Sequence, residues 1–298
     1  MSNLQELNNA HFNQTAQDYD NKPQIKVFTQ KSTEAILNGF KEATSEERLK
    51  NASVLDFGCG TGLCALFTAP QVKHVLGVDA SEGMLDYLNH KLTTQAEYAD
   101  LHAQAKVHTV CHLVTDESPL PEPELTRYVT GAESEGGFDL VYSNFVMHHI
   151  EDVQGLINTL SQKLVKKDGW LIISDFEGIF GHGHDGHGHG HGHHHHAEGE
   201  KKHDHGEHHH HHHHNENKTE EENKGERLTS DDFKDENGKD LVYVAHKSGF
   251  TLEGFEEIMR KAGLVDVKAV HSFGMDREMH GKNIWTDVFV AQGRRPSA

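Results

Sequence analysis

The chain has 298 residues, with 47 acidic side chains against 28 Lys and Arg, a formal charge of −19 when its 29 histidines are neutral. That balance argues against a broad basic face able to neutralise phosphates, so a nucleic-acid partner is not expected. The longest apolar runs, at 138–147 and 170–176, fall well short of the ~20 residues a membrane span needs, and no membrane partner is expected either.

In chain order, residues 9–21 and 24–43 read as helices, the second with a core face of Ile25, Phe28, Ile36, Leu37 and Phe40, so that 1–50 form a helical cap ahead of the core. The opening residues lack the basic start and apolar stretch of a secretory leader, and a cytoplasmic location is expected. Strands are expected at 52–57, 73–79 and 106–112; after the second, Ser81 caps a helix in which Met84, Leu85 and Leu88 recur at helical spacing. The stretch 115–137 carries Pro119, Pro121 and Pro123 and reads as a loop or short irregular helix. Strands at 138–143 and 169–175 bracket a helix through Val153, Leu156, Ile157, Leu160 and Leu164. Further on, Thr251 caps a helix with Phe255, Ile258 and Met259 on one face, Gly263 ends it, and 264–270 and 284–291 read as the last strands. This alternation implies an α/β, Rossmann-like fold: a seven-stranded, mostly parallel sheet with helices on both faces, its core at 51–180 and its completion at 241–298.

Residues 54–63, VLDFGCGTGL, deliver Asp56 and then Gly58, Gly60 and Gly62 at the turn from a strand into a helix. Glycines suit a turn where a Cβ would block close approach of a ligand to the backbone. A carboxylate just before them repels a pyrophosphate and suits a ligand with a cationic end. A dinucleotide fingerprint opening at Gly58 and Gly60 would need its third glycine where Leu63 stands, which disfavours a nicotinamide oxidoreductase. Asp79 ends the next strand, where a carboxylate can accept from both ribose hydroxyls of an adenosine.

With these residues in place the chain resembles the class I S-adenosylmethionine-dependent methyltransferases, of the small-molecule type, over most of 10–180 and 241–292. VLDFGCGTG and GVDASEGML resemble that family's first two motifs, FDLVYSNFVMHHIED its fourth-strand segment, GFTLEGFEEIMRKAGLVDV its C-terminal helix and strand, and AQDYD its cap helix. The resemblance implies S-adenosylmethionine as cofactor, with Asp56 orienting the methionine ammonium, Gly58 and Gly60 approaching the cofactor, and Asp79 binding the ribose. It also implies that Met84 packs on the adenine, that Asn144 places its backbone near the methionine part, and that Tyr19 forms a lid over the sulfonium. The acid that often follows the third strand in this family is replaced here by CHLVTDES, which leaves Asp116, His112 and Leu113 as alternatives at the adenine amine.

Methyl transfer is an in-line displacement at a methyl already activated by cationic sulfur, so the protein supplies alignment and a dry cleft. A base is needed only where the small-molecule acceptor holds its proton, and either His148 or His149, just past the fourth strand, could serve; packing or capping by one of them is the competing reading. Asp175, Glu177 and His246 could likewise face the cleft or only solvent or a local backbone group.

Cys59, Cys64 and Cys111 cannot all pair and lack zinc-type spacing, as expected of reduced thiols. The segment 181–240 reads as a low-complexity, acidic, His-rich insertion: 18 of the 29 histidines fall between His182 and His214, and residues 177–240 hold 16 acidic against 7 basic side chains. So polar a stretch cannot offset its ordering entropy and is expected to be disordered. It would bind zinc, nickel or copper loosely, with none of the fixed spacing of a built metal site. An alternative to an enzyme is therefore a catalytically inactive Rossmann-like scaffold whose His-rich loop binds or buffers transition metals.

Overall fold

The computed structural model describes residues 3–178, 226–227, 233–234, 241, 244–279 and 282–297. The His-rich tract from His182 to His214 lies outside the described residues, and so does the disorder expected of it. Helices α1 (Asn3–Tyr19), α2 (Pro23–Ala43) and α3 (Glu46–Lys50) precede β1 (Ser53–Phe57). There follow α4 (Leu63–Thr68), β2 (His74–Asp79), α5 (Glu82–Thr94), α6 (Ala99–Ala103), β3 (Val107–Cys111), β4 (Phe138–Asn144) and α7 (Val153–Thr159). The chain closes with β5 (Val165–Phe176), β6 (Glu226–Arg227), α8 (Leu252–Lys261), β7 (Val265–Met279) and β8 (Lys282–Arg294).

The sheet runs β3-β2-β1-β4-β5-β8-β6, with β7 paired to the flank of β8. β1 to β5 are mutually parallel where they pair, and β8 is antiparallel to both β5 and β7. The Rossmann-like sheet expected from the alternation is present, with an eighth strand added: two-residue β6, parallel to β8 at Ile284 and Trp285. It falls inside 181–240, where the polar composition gave no strand signal.

Alternation along the central strands supplies two cores. Val54, Leu140, Tyr142, Trp170 and Ile172 meet Ile36, Leu37 and Phe40 of α2 on one face. Leu55, Val141, Leu171 and Ile173 meet Ile157, Phe255 and Met259 of α7 and α8 on the other. β1 is covered on both sides, so SVLDF is buried throughout, the polar Ser53 and Asp56 included.

Two boundaries differ from expectation in an informative way. α1 begins at Asn3 rather than near residue 9, because its first turns are polar and carry no apolar period. β7 and β8 extend past the apolar stretches that announce them, pairing Gly274 with Asp287 and onward to Met279 with Lys282. There the ladder lies beyond the end of β5, which stops at Phe176 opposite Val288. Ile284 in this extension is buried against Phe233, Val244 and Leu241. No helix among the described residues is long and apolar enough to cross a membrane.

Candidate active site at the carboxyl edge of the sheet

β1 ends in the glycine turn, and Gly58 N and Cys59 N donate to the Val78 carbonyl at 2.8 and 3.1 Å, tying the turn to β2. Gly58 has φ 69°, and a Cβ there would strike the Val146 side chain at 2.5 Å. Gly60 has φ 53°, and a Cβ there would meet nothing within 4 Å. The first glycine is thus required by packing. The second faces open space, as expected where backbone must admit a ligand.

That space belongs to a cavity of about 600 Å³. Tyr19, Asp56, Gly58, Gly60, Asp79, Met84 and Asn144, all singled out in the sequence, line it together. Met84 and the run His112 to Asp116 line the same cavity. All three alternatives for the adenine amine are there, but two are engaged: His112 Nε2 lies 2.8 Å from the Ser118 carbonyl, and Asp116 pairs with Lys163 at 2.9 Å.

Asp56 is 1% exposed, and its Oδ2 accepts from the Tyr142 hydroxyl at 3.0 Å. Burial pushes its carboxyl up to about 7, against the Tyr142 hydrogen bond and with help from the nearby Asp79 charge. Asp79 accepts from Gly60 N through Oδ2 and from Ser81 N through Oδ1, both at 2.8 Å. Burial raises this carboxyl too, and the two amides oppose the rise. Each oxygen has a second lone pair, so Asp79 retains capacity for two hydroxyl donors. Asn144 donates from Nδ2 to Cys64 Sγ at 3.2 Å, which fixes the carboxamide, while its Oδ1 is buried without a hydrogen-bond partner among the described residues.

The cap is built by α1. Leu4, Gln5, Asn8, Asn9 and Phe12 lie on one stripe of the helix and line the cavity. Asn13 Oδ1 accepts from Ser81 Oγ and Gly83 N, both at 2.8 Å, docking the helix on the start of α5. Just past α1, Asp20 is buried with Lys91 of α5 and accepts from Thr61 Oγ1 in the glycine turn. These cap contacts were not read from the sequence, where AQDYD, which ends in Asp20, gave the cap helix without its partners.

The two histidines part company. His149 lines the cavity and packs edge-on against Phe12, ring centroids 5.2 Å apart. His148 is buried and sits behind it, with Nδ1 2.8 Å from Asp175 Oδ1 and its ring 4.0 Å from that of His149. Asp175, fully buried, also accepts from the amides of His148 and Phe176. Of the other sequence candidates, Glu177 pairs with His271 at 2.7 Å, and His246 Nε2 lies 2.9 Å from the Ile150 carbonyl. Phe145 stood in the fourth-strand segment with no role of its own; it lines the cavity at φ 57° and stacks on Phe176 at 5.0 Å. No cluster of three or more metal-ligating side chains occurs among the described residues.

Comparison with known proteins gives matches to methyltransferases. A family model described as "Methyltransferase domain" matches residues 30–269. An uncharacterised methyltransferase of Schizosaccharomyces pombe is 32% identical over 123 residues, 41% of this chain and 38% of that one. A ubiquinone biosynthesis O-methyltransferase of Pelagibacter ubique is 28% identical over 141 residues, 47% of this chain and 49% of its own length. The aligned stretch thus spans less than half of each of these relatives. Among solved structures, magnesium protoporphyrin IX methyltransferase from Synechocystis with bound SAH superposes with a TM-score of 0.54 at 13% identity, covering 98% of this chain and 100% of that one, a likeness of fold.

Proposed function

The chain belongs to the methyltransferase-domain family, and from that premise we propose that it is an S-adenosylmethionine-dependent methyltransferase whose acceptor is a small molecule. The observation that carries this reading is the convergence of Asp56, Gly60, Asp79 and Asn144 on one cavity. A glycine with open space, a buried carbonyl oxygen lacking a partner and a buried acid with no cation paired to it among the described residues fit a ligand with an ammonium group and a nucleoside. Asp56 and Asn144 Oδ1 would hold the ammonium, Asp79 the ribose and Met84 the adenine, with Tyr19 over the cleft. When bound, S-adenosylmethionine supplies a methyl on cationic sulfur.

The residues do the rest by position. α1 and its aromatic and amide face exclude water from the reacting end, which strengthens electrostatic interactions inside. His149, beside Phe12 in the cavity, is the base for an acceptor that must lose a proton, and His148, pinned by Asp175, braces its ring.

Calorimetry with S-adenosylmethionine and S-adenosylhomocysteine tests the reading. We expect binding by the wild type and a loss of roughly a hundredfold in Asp79→Ala, the scale of two charge-assisted hydrogen bonds. Wild-type protein that binds neither nucleoside sinks the proposal.

A further inference from the structure

Charge along the cavity wall restricts what can enter beside the cofactor. Among the described residues that line it there is no Lys or Arg, while Asp56, Asp79, Asp116, Glu151 and Asp152 all do. An anionic acceptor would shed water there against like charges and gain no counter-ion from the protein wall.

The inner face of α1 instead offers neutral amides next to aromatic rings. Asn8 is 5% exposed and is held in one orientation, its Nδ2 donating to the His149 carbonyl at 3.3 Å. That bond leaves Asn8 Oδ1 buried with no hydrogen-bond partner among the described residues. Buried carbonyl oxygens are ordinarily paired, so one left open on a cavity-lining residue points to a donor brought by a ligand. Phe12, one turn further along the same stripe, and His149 pack edge to face beside it.

Resting on the methyltransferase reading, we propose that Asn8 is the residue that reads the acceptor. The acceptor is an uncharged molecule presenting a hydroxyl or N–H to Asn8 Oδ1, and molecules bearing a carboxylate or phosphate are turned away.

Matched pairs test this on the full chain saturated with S-adenosylhomocysteine, with binding followed by ligand-observed NMR. The probes are 3,4-dihydroxybenzoate, 4-hydroxyphenylacetate and indole-3-acetate, each against its methyl ester. The esters are expected to bind at least tenfold tighter than the acids. Asn8→Leu should lose ester binding tenfold at saturating S-adenosylhomocysteine, more than any loss in S-adenosylhomocysteine affinity, and Asn8→Lys should raise the acids to the level of the esters. Acids that bind as tightly as esters, esters that do not bind at all, or ester binding unchanged in both variants overturns the proposal. Failure of the wild type to take up S-adenosylhomocysteine is a separate result, which removes the methyltransferase reading and this inference with it.

Discussion

Asp56 has Tyr142 as its hydrogen-bond donor, and no cation among the described residues pairs with its carboxyl, which burial raises to about 7. In the ligand-free protein the folded state keeps a proton that the unfolded chain releases above its ordinary value of 3.8. Stability therefore falls as pH rises between about 4 and 7 and levels off above that. Asp56→Asn should flatten that slope in urea titrations of the ligand-free protein. A bound ammonium reverses the preference, so cofactor affinity should rise about tenfold from pH 6 to pH 8 in the wild type, with proton release seen by calorimetry in buffers of different ionisation enthalpy. A flat affinity profile contradicts the placement of the ammonium at Asp56.

The two glycines give a second residue-scale contrast. Gly58→Ala drives a Cβ into Val146 and should cost about 2–3 kcal/mol of stability, the range for overpacking. Gly60→Ala adds only left-handed backbone strain of about 1 kcal/mol, yet should lose most cofactor affinity. Denaturation curves set beside binding isotherms separate the two. Asp56, Gly58, Gly60 and Asp79 were legible because strand, turn and acid occur in fixed order in the sequence. Phe145, Asn8 and Tyr142 were not, since each acquires its role from neighbours distant in the chain.

Between elements, the capping helix is fastened at three places: Asn8 to the His149 carbonyl, Asn13 to the start of α5, and Asp20 to Lys91 and Thr61. The last is a buried ion pair, and burial lowers Lys91 while Asp20 pulls it back up. Removing one partner strands the other, so Lys91→Ala should cost about 3–5 kcal/mol, whereas Asp20→Leu with Lys91→Met should cost much less. Urea unfolding of the single and double variants measures this. Because Asp20 also holds the glycine turn, Lys91→Ala should weaken S-adenosylhomocysteine binding as well. The core helices were readable from apolar spacing: α2 and α8 fall where their stripes put them, while α7 ends at Thr159 and the rest of its stripe, Leu160 and Leu164, follows in a π-helical turn. α1 was readable only in part, because a helix that lines a polar cavity carries amides where a packing helix carries leucines.

For the whole molecule, the doubly covered sheet followed from strands apolar on both faces, but the reach of β7 and β8 did not. Past Phe176 the hairpin no longer has β5 beside it, and the apolar pattern that betrays a central strand fades with it. The His-rich tract stands apart from this logic. Its composition predicts that deleting 181–223 leaves the thermal midpoint and cofactor affinity nearly unchanged and abolishes capture on immobilised nickel; a deletion variant that fails to fold shows the tract to be structural.

The order in which the sheet is assembled carries a consequence for the chain as it is made. β8, latest of the strands in sequence, lies between β5 and β7 and is also the partner of β6. Until residues 282–294 leave the ribosome, the apolar edge of β5 stays open and two other strands have nothing to join. Synthesis that stalls shortly before β8 thus leaves a sticky half-sheet and a substrate for chaperones or proteases.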